Sequence, residues 1–430
     1  MASCRTTEEK PAKVITTDID NFWMAYDLIV KESDSLKQIQ LIDSLYIKKG
    51  TVGLDKIREV REYTAQEYVQ MINHYPRYFA SLRANTLQAN QLAEELNIGI
   101  QKLEAVYPHL KPANIYFTMG CMRTNGTTVD SLVLIGSELA MADPQTDISE
   151  FEGATKEWLA GFLSTNPLKN LVLLNVHEYV HTQQQPQLNN LLSIAIREGV
   201  AEFVSTLAMN TPSASPAVDF GKKNAIAVRE KFEVEMFYPN NRPKWFWSNY
   251  PNEFGVRDLG YYVGYQMSDN FYQQAENKAE AIKYLIELDF TNEAEVEDFV
   301  KKTNYFSAPL DTLYQNFERS RPYVTRVGQF ENNSQNVDPS IKQLTVHFSE
   351  PLNGQNTGVD LGPLGRAYFP KNEPSQRFWS ADNASWSIGV NLEPNTHYQV
   401  LISNNFRTSN DIPLKPYLID FKTGEVRQKT

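Results

Sequence analysis

Between Thr17 and about Pro112, apolar residues recur every three or four positions, the period of helices that bury one face. The clearest runs are Asp18 to Val30, Leu36 to Lys49 and Ala84 to Val106, with Gly50 and Pro108 as stops. The pattern then shortens into two apolar runs, Ile115 to Met119 and Ser131 to Gly136. Asn125-Gly126 lies between them in the polar segment Arg123 to Gly126, and Asn-Gly flanked by apolar runs predicts a hairpin. Helical periodicity resumes after Asp147 and continues, with interruptions, to about Arg319.

Beyond Arg321 the period changes to two. Leu344, Val346 and Phe348 alternate with polar residues, as do Trp386, Ile388, Val390 and Leu392, and Tyr398, Val400 and Ile402. Short alternating strands separated by Asn, Gly, Pro and Ser predict a β-sandwich of about 100 residues. Leu392 to Val400 resembles a tyrosine corner. The whole segment is similar to bacterial Ig-like domains that begin near a Phe348-Ser349-Glu350-Pro351 strand and close on Asp420 to Gly424. The expected fold class is α+β: a tether over 1–14, a mostly helical domain with a small sheet over 15–320, and an all-β sandwich over 322–427.

Composition narrows the function classes. Of 430 residues, 41% are hydrophobic, enough for a large core. The formal charge is −11 with no basic block, so no nucleic acid partner is expected. Apolar runs such as Leu171 to Leu174 are far too short to span a bilayer. Cys4 and Cys121 cannot make a disulfide framework. Ala2-Ser3-Cys4 resembles the end of a bacterial lipobox, which implies an exported protein lipid-anchored at Cys4 and touching membrane only there; the alternative is an incidental cysteine.

The chemistry concentrates in His177-Glu178-Tyr179-Val180-His181. Two imidazoles four residues apart on a helix project to one side and can share a metal ion. Asn166 suits an N-cap and Pro167 the first helical position, Leu171, Leu174 and Val180 can hold the helix in the core, and Pro186 closes the run. Glu178 is placed to act on water at the metal rather than to ligate. The third-histidine pattern HExxHxxGxxH fails, because Gln184 and Gln187 occupy its later positions. A following helix offers Glu198 as ligand, and Glu202, one turn on, as acceptor for a ligand histidine's other nitrogen.

His177-Glu178-Tyr179-Val180-His181 with Glu198-Gly199-Val200-Ala201-Glu202 resembles the gluzincin metallopeptidases. With Phe203 and the later Gly260-Tyr261-Tyr262-Val263-Gly264-Tyr265, it is similar to zinc-dependent proteases of bacterial lipoproteins related to gliding-motility-type lipoproteins. The resemblance covers about residues 15 to 320. It implies Zn2+ held by His177, His181 and Glu198, Glu178 as general base, and a peptide or protein substrate. The GAMEN exopeptidase motif is absent, which argues against aminopeptidase action.

An oxyanion needs a further donor. Tyr261 and Tyr265 share a helix face and are the candidates, with Arg257 as rival; Gly260 and Gly264 would let that helix approach another closely. An edge strand near Asn125 to Leu134 could pair with an extended substrate. Trp245-Phe246-Trp247 is either pocket lining or core. The sandwich shows no clustered ligands, so it is expected to bind a protein or glycan, or to space, rather than to catalyse. The competing reading is a non-catalytic, zinc-containing binding or assembly lipoprotein.

Overall fold

The computed structural model describes residues 13–425, so Cys4 lies outside the described residues. The fold is α+β, as expected, and the chain divides after Leu310 into two compact units. The first opens with β1 (Val14–Ile15), followed by helices α1 (Thr17–Ile29), α2 (Ser35–Ile42) and α3 (Val52–Arg61). Helices α4 (Ala65–His74), α5 (Pro76–Thr86) and α6 (Ala89–Val106) complete this stretch. The tether prediction ran too far: Val14 and Ile15 already pair with Ile115 and Tyr116.

Two predicted helices are divided. Leu36 to Lys49 is α2 followed by a π-helical turn at Asp43–Ile47. Ala84 to Val106 breaks between α5 and α6, where buried Thr86 bonds back to the carbonyls of Leu82 and Arg83 while accepting from the Trp23 indole at 3.0 Å. Such back-bonding competes with continuation of the helix.

The small sheet contains β2 (Asn114–Thr118), β3 (Gly126–Val129) and β4 (Leu132–Gly136), in the order β1-β2-β4-β3. The hairpin prediction needs correction. The two apolar runs, β2 and β4, pair in parallel, and Asn125-Gly126 leads into β3 instead of turning. The tight turn falls at Asp130-Ser131, where Asp130 takes φ 51° and Val129 pairs with Leu132. A parallel pair requires a crossover, and a fully buried carboxylate anchors the segment that makes it. Glu138, in α7 (Ser137–Ala140), accepts from the Gly120 and Met122 amides at 2.7 and 2.9 Å. Burial raises its pKa to about 7 despite these donors.

Next come α8 (Gly153–Ser164), α9 (Pro167–His181), α10 (Leu191–Met209), α11 (Pro216–Lys223), α12 (Ala225–Glu235) and α13 (Arg242–Trp245). Helices α14 (Leu259–Gln274), α15 (Lys278–Glu287) and α16 (Glu293–Thr303) follow. Helix α10 lies directly on α14. An ideal Cβ on Gly199 would fall 2.0 Å from the Gly264 carbonyl carbon, and one on Gly264 would fall 1.8 Å from the Ala195 oxygen. The predicted close approach is therefore made at Gly264, whereas Gly260 faces the Phe246 ring.

The second unit takes in all but the first residue of α17 (Leu310–Ser320), which the sequence analysis assigned to the helical domain. Its strands are β5 (Val324–Val327), β6 (Gln343–Phe348), β7 (Val359–Asp360), β8 (Lys371–Trp379), β9 (Ser385–Asn391), β10 (His397–Ile402) and β11 (Tyr417–Lys422). They form one sheet in the order β5-β6-β9-β8 and another in the order β11-β10-β7. The predicted alternating residues Leu344, Val346, Trp386, Ile388, Tyr398 and Val400 share one core. The Tyr398 hydroxyl accepts from the Glu393 amide at 2.9 Å, the bond expected of a tyrosine corner.

Candidate metal centre

Helix α9 begins as predicted: Asn166 caps it by accepting from the Lys169 amide, and Pro167 takes the first turn. Leu171 and Val180 are sealed in the core, and Leu174 is half-buried. The helix ends at His181, earlier than Pro186, and Thr182 to Gln185 turn away from it. Tyr179 pins α9 toward the sheet, its hydroxyl accepting from the Ala113 amide at 2.7 Å. Helix α10 starts at the Asn190 cap and carries Glu198 and Glu202 inward.

His177, His181 and Glu198 converge, all three buried. The two Nε2 atoms lie 3.1 Å apart, and Glu198 Oε2 is 3.2 Å from His181 Nε2 and 3.7 Å from His177 Nε2. Bonds of 2.0–2.2 Å in a tetrahedral zinc site place neighbouring ligand atoms about 3.3–3.6 Å apart. The three distances, 3.1, 3.2 and 3.7 Å, bracket that range, so small shifts would bring the atoms onto one face of such a tetrahedron.

The outer nitrogens settle what the inner ones offer. His177 Nδ1 faces Glu202 Oε2 at 2.9 Å, and His181 Nδ1 faces Gln184 Oε1 at 2.6 Å. Gln184 is oriented by its own Nε2, which donates to the Arg197 carbonyl at 3.0 Å. Both partners accept, so each Nδ1 carries the hydrogen and each Nε2 presents a lone pair. Two lone pairs and a carboxylate oxygen aimed at one point repel unless a cation sits between them. Glu202 is itself held by the Ser213 hydroxyl.

Without a metal, a proton does this work. Burial alone would lower the His177 pKa, but Glu198 and Glu202 outweigh it and raise it to about 10. Burial likewise disfavours ionised Glu198, yet the histidines hold its pKa well below the usual carboxylate range. A zinc ion bound by this group would therefore displace the His177 proton. Through this group alone, zinc affinity is expected to rise about tenfold per pH unit between pH 7 and 9. Zinc titration calorimetry in buffers of different ionisation enthalpy should show about one proton released per ion. No release would contradict this account of the cluster.

Glu178 projects beside the cluster without joining it. The Thr128 hydroxyl, on β3, lies 2.9 Å from Glu178 Oε2 and 3.0 Å from its carbonyl oxygen. Across β3, Gly126 leaves room for this side chain, since a Cβ there would sit 3.3 Å from Glu178 Cγ. Strand β3 is the sheet edge, paired only with β4 among the described residues.

The two tyrosine candidates part company. Tyr261 stacks on His177 with ring centroids 6.0 Å apart, and its hydroxyl accepts from the Trp247 indole at 2.8 Å. Burial first, then the charges of Glu198 and Asp258, keep it protonated far above the usual phenol range. Tyr265 does not join the cluster. One turn along α14, it packs on Phe203, and its hydroxyl accepts from Lys222 at 3.3 Å. Arg257, the rival donor, lies 3.7 Å from Asp258 with its side chain 41% exposed. Trp245 and Phe246 are core, whereas Trp247 is half-exposed and bonds to Tyr261.

Sequence reasoning missed Thr128, Ser213 and Arg197, and assigned no role to Gln184. Arg197 carries a largely buried guanidinium 3.7 Å from Glu198 Oε1, tied by Nε to the Gln185 carbonyl at 3.2 Å. Burial lowers its pKa, opposed by nearby Glu198, Glu178 and Tyr261. Its only sequence signal is its place beside Glu198.

No family model matches the chain, and no curated protein matches it. Among solved structures, it is similar to the surface-layer protein SbsC. For domains 1–6, the TM-score is 0.19 at 12% identity, over 67% of this chain and 39% of that one. For a longer rSbsC crystal structure, the TM-score is 0.18 at 10% identity, over 95% and 44%. The chain thus spans less than half of either protein, and likeness at this level carries no argument about fold or activity.

Proposed function

We infer that this protein is a zinc-dependent peptidase of gluzincin type. One observation carries the reading: a carboxylate, Glu178, stands beside three converging metal-ligand atoms without being one of them, held from an open strand edge. A purely structural site has no use for that group. Zinc bound by His177, His181 and Glu198 would supply Lewis acidity toward water and a substrate carbonyl.

The chain's own residues supply the rest. Glu202 and Gln184 fix the tautomers and ring orientations of the ligand histidines. Glu178 takes the proton from the attacking water and returns it to the leaving amine. Thr128 holds Glu178 for that task. Tyr261, its oxygen accepting from Trp247 and its hydroxyl hydrogen-bonded to Glu198, would turn that hydrogen toward the developing oxyanion once Glu198 serves as a ligand. The open flank of β3 offers main-chain groups to an extended peptide. Tyr265 has no part in this scheme.

In the same proposal, the protein works outside the cytoplasm, lipid-anchored at Cys4, with the sandwich as a binding or spacing module. The test is incubation of zinc-loaded protein with a peptide library, read by mass spectrometry. Cleavage by the wild type and none by Glu178→Gln supports the peptidase. No cleavage by either supports the binding lipoprotein instead.

A further inference from the structure

The geometry points to Arg197 as a clamp for a substrate carboxylate next to the scissile bond, an inference that rests on the peptidase reading. Among the described residues, the one hydrogen bond of its side chain is from Nε to the Gln185 carbonyl, at 3.2 Å. Its one ion pair, to Glu198, is 3.7 Å long, too far for a hydrogen bond. Both terminal nitrogens thus lack acceptors, yet neither is sealed: among the described side chains, buried atoms without partners do not include them. The side chain is only 17% exposed, so its charge is held in place at the cluster's wall.

Metal binding sharpens the point. Glu198 is the carboxylate paired with Arg197, and a metal that takes up its charge leaves the guanidinium only the more distant charge of Glu178. A largely buried cation favours a new anion strongly. With Nε engaged, the terminal nitrogens form a fork that matches a carboxylate by two parallel bonds. Neighbouring Glu178 is committed to Thr128. The carboxylate could be the terminus of a peptide or an acidic side chain, and the two are separable.

Calorimetry on the zinc-loaded full chain tests this with four hydroxamates. Acetohydroxamate reports the metal alone. Malonyl monohydroxamate coupled to alanine adds a terminal carboxylate, coupled to alaninamide adds none, and coupled to the α-amide of aspartic acid adds a side-chain carboxylate. A carboxylate probe is expected to bind about tenfold or more tighter than the alaninamide probe, the scale of a charged hydrogen-bonded pair. Arg197→Ala should bring that ratio to about one, and Arg197→Lys should fall between. A gain for the alanine probe identifies a peptide terminus, and a gain for the aspartate probe an acidic side chain. If acetohydroxamate binds and no carboxylate adds affinity, the clamp is wrong while the metal centre stands. If no hydroxamate binds, the metal-centre reading fails and the clamp with it.

Discussion

Zinc-loaded Glu178→Gln protein is expected to keep its metal and lose about a hundred- to ten-thousand-fold in kcat/KM on any peptide the wild type cleaves. The substitution preserves shape, and the Thr128 hydroxyl can still donate to the Gln oxygen where it now meets Glu178 Oε2 at 2.9 Å. It removes only the capacity to accept a proton. Metal content by mass spectrometry and rates by product quantification should therefore separate: zinc unchanged, turnover collapsed. Equal rates in the two proteins would remove Glu178 from the mechanism. Joint loss of metal and turnover would show that it helps hold the ion.

Gly199→Ala is expected to be among the most damaging small substitutions in the helical unit. Its Cβ would sit 2.0 Å from the Gly264 carbonyl carbon, 2.1 Å from the Tyr265 nitrogen and 2.3 Å from the Gly264 Cα. All three are backbone, so α10 and α14 must separate by roughly 1.5 Å to restore ordinary contact. Overpacking of rotatable side chains costs about 1–3 kcal/mol, and backbone against backbone should reach at least the top of that range. Function should suffer too, because α10 carries Glu198 on the residue before Gly199, and α14 carries Tyr261 three residues before Gly264. Thermal melts of the full chain should show a lower midpoint, and zinc titration a weaker affinity. An unchanged melt would mean that the helices are not packed this closely.

Much of this site is legible in the sequence because its logic is local. Two histidines one turn apart, a capping Asn-Pro, and two glutamates one turn apart follow from helical geometry alone. The sandwich alternation is legible for the same reason, since a period of two reports a buried face directly. Contacts between segments distant in the chain are not legible. Thr128 meets Glu178 only because β3 lies beside α9, and Asn125-Gly126 looks like a turn until β2 is found to pair in parallel with β4. Tyr261 and Tyr265 are equivalent on a helical wheel. The Gly199–Gly264 contact separates them, with Tyr261 against His177 on one side and Tyr265 against Phe203 on the other. Gln184, seen from the sequence only as a failed ligand position, accepts from the outer nitrogen of His181.

The central claim is that His177, His181 and Glu198 form a metal centre, and counting zinc tests it most directly. The protein should be purified without added metal or affinity tag and analysed by plasma mass spectrometry beside Glu198→Ala. The account predicts about one zinc per wild-type chain and markedly less in the variant, because removing one of three protein ligands leaves two histidines alone. No zinc in the wild type, with none taken up on addition, would contradict it.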